Sequence, residues 1–307
     1  MKKVILALAV LAFVGTFTSC QKDNDGVYKP GKKSATITTT YGDNTERTDV
    51  ETWSWNGKVL EAVYYVYEDG DKDTALYTYD GKQLQKVSSP SGKDYYTVTY
   101  DGKKASKIEA YSGTELQMSA ELVYDGKKLS SVTMSYPQNE PSDDDWKSIR
   151  RSYTYKALCC VLPTNAVETI LSQRAKMQNK GAKGMTTMTA TLTWDGKNLK
   201  SMAIPYKYDS YTMNMSYTYT YDDKTNPFHD FLGTAIGMDF AGYCSANNVL
   251  TATDAMSIAE MPGFDQTSTE NYTYEYDGKY PTKVTRVEKG ENGEANNSTT
   301  VTAYTYL

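Results

Sequence analysis

The chain has 307 residues with 38 acidic against 33 basic side chains, a net charge of −5, and 28 Tyr against 6 Phe. That balance excludes nucleic acid as an expected partner, because phosphate recognition needs concentrated Lys and Arg. The length fits one large β-domain or two smaller ones, and past the N-terminus no apolar run approaches the roughly 18 residues of a membrane-spanning helix.

The first element is a leader. Lys2 and Lys3 precede an unbroken apolar run from Val4 to Val14, too short for a bilayer helix and right for the h-region of a signal peptide. "TFTSC" follows, and the small residues before Cys20 resemble a lipobox, with Phe17 where Leu is usual. The reading is a signal peptide over 1–19, lipidation of Cys20, and a membrane reached through that lipid; ordinary secretory cleavage with a spare thiol is the competing one. An acylated cysteine carrying two or three chains anchors stably. Loss of Lys2 and Lys3 leaves 31 basic and 38 acidic residues, a net −7. "QKDND" at 21–25 resembles the surface-export signal of Bacteroides-group lipoproteins, or is a plain polar tether. Residues 20–33, the lipidated cysteine and a flexible tether, are too polar to build a core. "GVYKPGKK" at 26–33 lacks the final Ser/Thr of a phosphate loop and follows no strand, so no phosphate site is read there.

From residue 34 to the C-terminus one phrase recurs. "WSWNGKVLEAV" at 53–63 returns as "YTYDGKQLQKV" at 77–87, "TVTYDGKKASKI" at 97–108, "LVYDGKKLSSV" at 122–132, "LTWDGKNLKSM" at 192–202 and "YEYDGKYPTKV" at 274–284. Asx-Gly between alternating runs signals a hairpin with a type I′ turn, which makes Gly57, Gly81, Gly102, Gly126, Gly196 and Gly278 the turn glycines. The first four copies lie 24, 21 and 24 residues apart, room for two strands and two turns each. "YTYTYDDKTNPF" at 217–228 is a degenerate seventh copy. An aromatic precedes every turn, and period two puts these residues on one packed face. Past the turn, Leu60 and Val63, Leu84 and Val87, and Leu129 and Val132 are spaced by three; a bulge would accommodate this, as would burial of both faces. About a dozen strands must curl, split or close. The expected fold is all-β: a large antiparallel meander of hairpin repeats over 34–307, curled or barrel-like, with one or two short helical insertions.

Two segments interrupt the repeat. Residues 163–181 read as a helix, with Asn165 as cap, Glu168 completing a capping box and Gly181 as stop. Residues 226–250 read as a short helix starting at Asn226-Pro227, or an apolar loop plugging one end of the sheet.

Candidate chemistry is thin. His229 is the only histidine, has no accompanying nucleophile motif and suits packing or capping. "DGDKD" at 69–73 opens like a calcium loop, but Thr74 stands where Gly is required, so a solvated hairpin tip is the better reading. "DDD" at 143–145 beside Trp146 reads as an exposed loop, and Asp73-Thr74-Ala75 resembles a short O-glycosylation motif of exported proteins in the Bacteroides group. Cys159, Cys160 and Cys244 lack zinc spacing and read as buried thiols, with a bridge from Cys244 to Cys159 or Cys160 as the alternative. No catalytic residue, metal ligand set or cofactor emerges. Trp53, Trp55 and Trp194 are the candidate ligand-binding residues, because indole faces stack on sugars and anchor protein partners; they are equally candidates for core.

"YTYDGKQLQKV", "YDDKTNPF", "SANNVL" and "YEYDGKYPTKV" together resemble the YD-type repeats of Bacteroides-group lipoproteins, a family of unknown function whose domain is described as porin-like. The resemblance covers about 50–307, with the insert at 137–184 fitting poorly. It implies a large antiparallel sheet curling toward a barrel, and it brings no catalytic residues. The expected protein is an outer-membrane or surface-exposed lipoprotein with a non-enzymatic binding or structural role, its partner a glycan or a protein. The alternatives are a glycan-capturing or glycan-acting lipoprotein and an integral outer-membrane β-barrel, against which stand the Tyr and Thr at positions where a lipid face carries Leu, Val and Phe.

Overall fold

The computed structural model describes residue 28 and residues 30–43, 45–137, 146–178, 185–208, 211–233, 239–289 and 298–307. Cys20, the leader, "QKDND", Asp143 to Asp145 and Gly181 lie outside the described residues. Sixteen strands run up and down: β1 (Ser34–Asp43), β2 (Thr45–Asn56), β3 (Val59–Val66), β4 (Lys72–Asp80), β5 (Gln83–Ser88), β6 (Asp94–Asp101), β7 (Lys104–Ser112), β8 (Glu115–Asp125), β9 (Lys128–Pro137), β10 (Met185–Asp195), β11 (Asn198–Tyr208), β12 (Tyr211–Tyr221), β13 (Val249–Ile258), β14 (Asp265–Asp277), β15 (Tyr280–Lys289) and β16 (Thr299–Tyr306). Each pairs antiparallel with its sequence neighbours, and β1 meets β16 with Ile37 opposite Tyr304. The barrel is closed, so no strand edge is left to pair with another chain.

The turns sit one residue later than Asx-Gly implies. Asp80 pairs with Gln83, Asp101 with Lys104 and Asp125 with Lys128, so the two loop residues are Gly and Lys. Gly81 has φ 59°, and among the described residues Asp230 alone has a positive φ without being glycine. A positive φ at the first loop position only is the type II′ pattern, not type I′. A type I′ loop would force Lys82 into the left-handed region, which an L side chain resists.

Just before each turn the ladder slips. Tyr79 faces Leu84 while Thr78 faces Lys86, leaving Gln85 as the extra residue of a bulge. The same slip falls at Ser54/Trp55, Thr99/Tyr100, Val123/Tyr124, Thr193/Trp194 and Glu275/Tyr276. The bulge therefore accounts for the three-residue spacing, because it returns both Leu84 and Val87 to the buried face.

That buried face is the inside of the barrel. Val63, Ile108, Ala110, Met118 and Val132 are fully buried, while Thr187, Thr189, Thr191 and Thr193 of β10 are exposed. Outward hydroxyls pair across strands, Ser135 with Thr187 at 3.0 Å and Thr193 with Ser201 at 2.7 Å.

Two long connections fill the interior from opposite ends. At the Gly-Lys end, residues 222–248 replace the seventh turn. Asp222 closes the neck, its Oδ1 accepting from the N–H of Asn248 at 3.0 Å and of Lys224 at 3.0 Å. Asn226-Pro227 starts no helix; the Asn226 Oδ1 accepts from the Phe228 N–H at 2.9 Å and its Nδ2 donates to the Ser245 carbonyl at 2.8 Å. The short helix comes later, as α4 (Phe240–Cys244). Phe228 and Phe231 are buried and pack against the rings of Tyr28, Trp53, Tyr77 and Tyr304, so this segment does plug one end.

At the other end the β9–β10 connection carries α1 (Trp146–Arg151), α2 (Tyr153–Cys159) and α3 (Thr164–Gln178). The expected helix is α3, but its cap is not Asn165. The first helical N–H, of Thr164, donates to Asp239 Oδ1 at 2.7 Å from the opposite connection, and Glu168 turns outward to Arg150 at 2.9 Å. Short α1 (WKSIRR) and α2 (YTYKALC) have too few turns for an apolar stripe and owe their helicity to docking. Arg151 bonds Asp69 and Asp71 at 2.7 Å each, and Lys156 bonds Asp73 at 2.7 Å. The carboxylates of "DGDKD" thus receive helix cations, and only Asp71 stays largely in water. Cys159, Cys160 and Cys244 are unbridged; burial pushes the Cys160 thiol up to about 12. No described helix is long and apolar enough to cross a membrane, which says nothing about strands.

Candidate binding cleft

Helix α2 packs against β6 to β8, which leaves the opposite inner wall, β12 to β15, partly uncovered. A cleft of about 390 Å³ lies there between Asn165 and Thr169 of α3 and the wall residues Met215, Tyr217, Asp254, Met256 and Ser268. A smaller void of about 20 Å³ adjoins it, bounded by Tyr219, Asp239, Glu270 and Arg286. Alternation along β12, β13, β14 and β15 points these side chains inward.

Each carboxylate has its own partners. Ser268 donates to Asp254 Oδ1 at 2.8 Å. Asp239 accepts from Thr164 and, at 3.3 Å, from the Tyr219 hydroxyl. Glu270 accepts from Arg286 at 3.4 Å and from the Tyr272 hydroxyl. Burial raises the carboxyls of Asp239, Asp254 and Glu270 above the usual range despite these bonds. Burial works against the charge of Arg286, and Glu270, Glu288 and Asp239 hold it charged. Among the described residues no group of three donors is spaced to hold a metal ion. Perturbed carboxylates in a cleft are a recurrent mark of a binding or reacting site.

The tryptophans are elsewhere. Trp53 is 4% exposed, its N–H on Glu51 Oε2 at 2.8 Å and its rings against Trp55, Phe228 and Phe231. Half-buried Trp55 and Trp194 donate to the carbonyls of Ser34 and Leu129 at 2.8 and 2.7 Å. The fold brings Trp53 and Trp55 together, leaves Trp194 on β10, and sets none of the three in the cleft. Gly57, Gly81, Gly102, Gly126, Gly196 and Gly278 occupy the first loop position of their turns with φ between 56° and 62°. His229, partly exposed, has Nδ1 3.3 Å from Asp230 Oδ2.

Asp239, Asp254, Glu270 and Arg286 escape a motif search because no motif contains them. One signal was available: Glu270 has the parity of Tyr272, Tyr274 and Tyr276, so the face that packs the aromatics also carries an inward carboxylate. Asp49 and Glu51 stand likewise to Trp53 and Trp55, and both are buried.

No family model matches the chain, and no curated protein matches it. Among solved structures it is similar to a porin-like protein from Bacteroides vulgatus, at 12% identity and a TM-score of 0.47 over 90% of this chain and 99% of that one. A likeness of that degree adds nothing to what the strand pairings already establish.

Proposed function

We propose that this is a lipid-anchored outer-membrane lipoprotein, displayed at the cell surface, whose barrel stands in water and binds a small polar ligand without transforming it. The observation that carries the reading is the polarity of the wall. Outward positions are mostly Thr, Ser and charged residues, as along β10, with Tyr64, Val66, Val123, Tyr211 and Leu250 as scattered apolar exceptions and no continuous apolar band among the described residues, whereas inward ones are mostly Val, Ile, Met, Ala and Tyr. A lipid-embedded barrel has the reverse arrangement, an apolar outer band around a polar interior. The interior is also obstructed. Tyr96 donates to the Leu232 carbonyl at 3.0 Å from one connection and receives the Cys160 thiol at 3.8 Å from the other, so the two connections meet across the lumen.

Ligand binding is assigned to the cleft beside α3. Asp254, Asn165, Thr169 and Ser268 offer convergent acceptors and donors, and Tyr217 offers a ring face, chemistry suited to a sugar or another hydroxyl-rich molecule. The test is a glycan array and a hydrolase panel on residues 21–307. Binding that Tyr217→Ala or Asp254→Ala abolishes without lowering the melting temperature supports glycan capture. Turnover of a polysaccharide lost with one Asp or Glu substitution overturns the non-enzymatic reading. The anchor is tested separately: Cys20→Ala in cells is expected to leave the membrane fraction, and retention there with unchanged mass overturns it.

A second reading, an integral outer-membrane barrel, is favoured by one observation: sixteen antiparallel strands closed in an even-numbered barrel, as membrane barrels are. Residues 21–307 purified as a monomer without detergent support the first reading. Aggregation unless detergent is present supports the second.

A further inference from the structure

The two ends of the barrel differ. In an up-and-down barrel alternate turns share an end, so every Gly-Lys loop lies on one rim. Lys58, Lys82, Lys103, Lys127, Lys197 and Lys279 occupy the second loop position and are exposed. The acidic partner of each repeat sits two residues earlier, inside the ladder, as the last paired residue: Asp101 faces Lys104 and Asp125 faces Lys128. The first repeat carries neutral Asn56 there instead. The lysines are thus the outermost charges of this rim on the longest side chains. The opposite end mixes Glu68, Asp69, Asp71, Glu115, Glu260 and Asp265 with Arg47, Lys72, Lys93, Lys147 and Arg151, several of them ion-paired. At the Gly-Lys rim, by contrast, the outer loop position is a lysine in all six repeats, with exposed Asp80, Asp101, Asp125, Asp195 and Asp277 set one step back.

Beneath the lysines lies a ring of half-buried aromatics, Trp55, Tyr79, Tyr100, Tyr124, Trp194 and Tyr276, with Lys104 over the Tyr124 ring and Lys33 over the Trp55 ring. The N-terminal segment enters at the same rim. Tyr28 donates to the Pro227 carbonyl at 2.9 Å, Lys32 reaches Asp277 at 2.9 Å, and Lys33 donates to the Gly57 carbonyl.

We infer that the Gly-Lys rim is a membrane-docking face, pressed on the anionic phosphate headgroups of the bilayer that carries the anchor. Ammonium groups at a surface attract anionic lipid over about a Debye length, and rings with an apolar body and a polar tip suit the headgroup layer. The tether leaves from this rim, so a lipid at Cys20 would hold the rim, and not the opposite end, against the bilayer. The cleft beside α3, which lies toward the other end, would then face away from the membrane. The inference rests on the anchored-lipoprotein reading for its orientation and on the loop lysines for its chemistry.

The experiment uses residues 21–307, which contain the whole closed barrel and no lipid, in co-sedimentation with vesicles of pure phosphatidylcholine and of phosphatidylcholine with about one third phosphatidylglycerol. Partitioning is expected to be at least about tenfold stronger on the anionic vesicles and to fall with added salt. Changing the six loop lysines to Gln is expected to abolish the preference with the melting temperature unchanged, whereas Lys72→Gln with Lys93→Gln at the opposite end is expected to preserve it. Equal partitioning on both vesicles, or equal loss in the two variants, overturns the inference. Because no lipid is attached, these outcomes are independent of whether Cys20 is acylated, which the cell-fractionation experiment decides.

Discussion

Trp194 donates its indole N–H to the backbone carbonyl of Leu129 at 2.7 Å, across the β9–β10 pair. Leu129 adjoins the bulge of its own hairpin. The relation repeats around the rim: Trp55 bonds Ser34, Tyr221 bonds Leu199 at 2.6 Å, Tyr306 bonds Pro281 at 2.6 Å, and the hydroxyls of Tyr79 and Tyr100 engage the backbone of Leu60 and Leu84. A bulge interrupts the ladder and a ring donor supplies a partner there. This explains why the pre-turn residue is Trp or Tyr and in no repeat Phe.

Trp194→Phe and Tyr221→Phe keep a ring and lose the donor. Each is expected to lose about 1 kcal/mol of stability, read as a lower denaturation midpoint with an unchanged slope. Wild-type midpoints in both variants would show that the donors carry no weight.

Gly126 has φ 57° and open space where a Cβ would stand. The cost of substitution is therefore backbone strain alone, about 1–2 kcal/mol, and Gly126→Ala is expected to lose nearly as much as Gly126→Val. A neutral Gly126→Ala would show that the loop relaxes to another turn type.

Lys156 is buried, with Asp73 as its ionic partner at 2.7 Å. Asp73→Ala leaves an uncompensated buried ammonium and is expected to cost about 3–5 kcal/mol. Lys156→Met combined with Asp73→Ala is expected to recover a large part of that, measured by a double-mutant cycle. Additive losses would contradict the pairing.

Asp254 has its carboxyl raised by burial, so the fold favours the protonated form. Such a group destabilises the fold increasingly as pH rises from its unfolded value, about 4, through its folded value. Asp254→Asn removes that dependence. It is expected to melt higher than wild type at pH 7 and to converge with it below about pH 4. A lower melting temperature at pH 7 would mean that the ionised carboxylate is stabilising.

The local part of this protein is written in single stretches of sequence. Six copies of Asx-Gly-Lys between alternating runs determine hairpins, and period two determines which residues share the face of Trp53 and Tyr77, because turn chemistry and alternation act over a few neighbouring residues. Even there, the choice between type I′ and type II′ went to the loop Lys, whose backbone sterics outweigh the Asx-Gly signal. Tertiary structure decided what depends on residues far apart in the chain. Pairing of Ile37 with Tyr304 closes the sheet, Asp239 caps α3 from the other end of the lumen, and the cations of α1 and α2 select Asp69, Asp71 and Asp73 as docking points. The cleft joins Asn165, Asp239, Asp254, Glu270 and Arg286 from five segments. No local pattern encodes that convergence, since it exists only once the barrel has closed around its two connections.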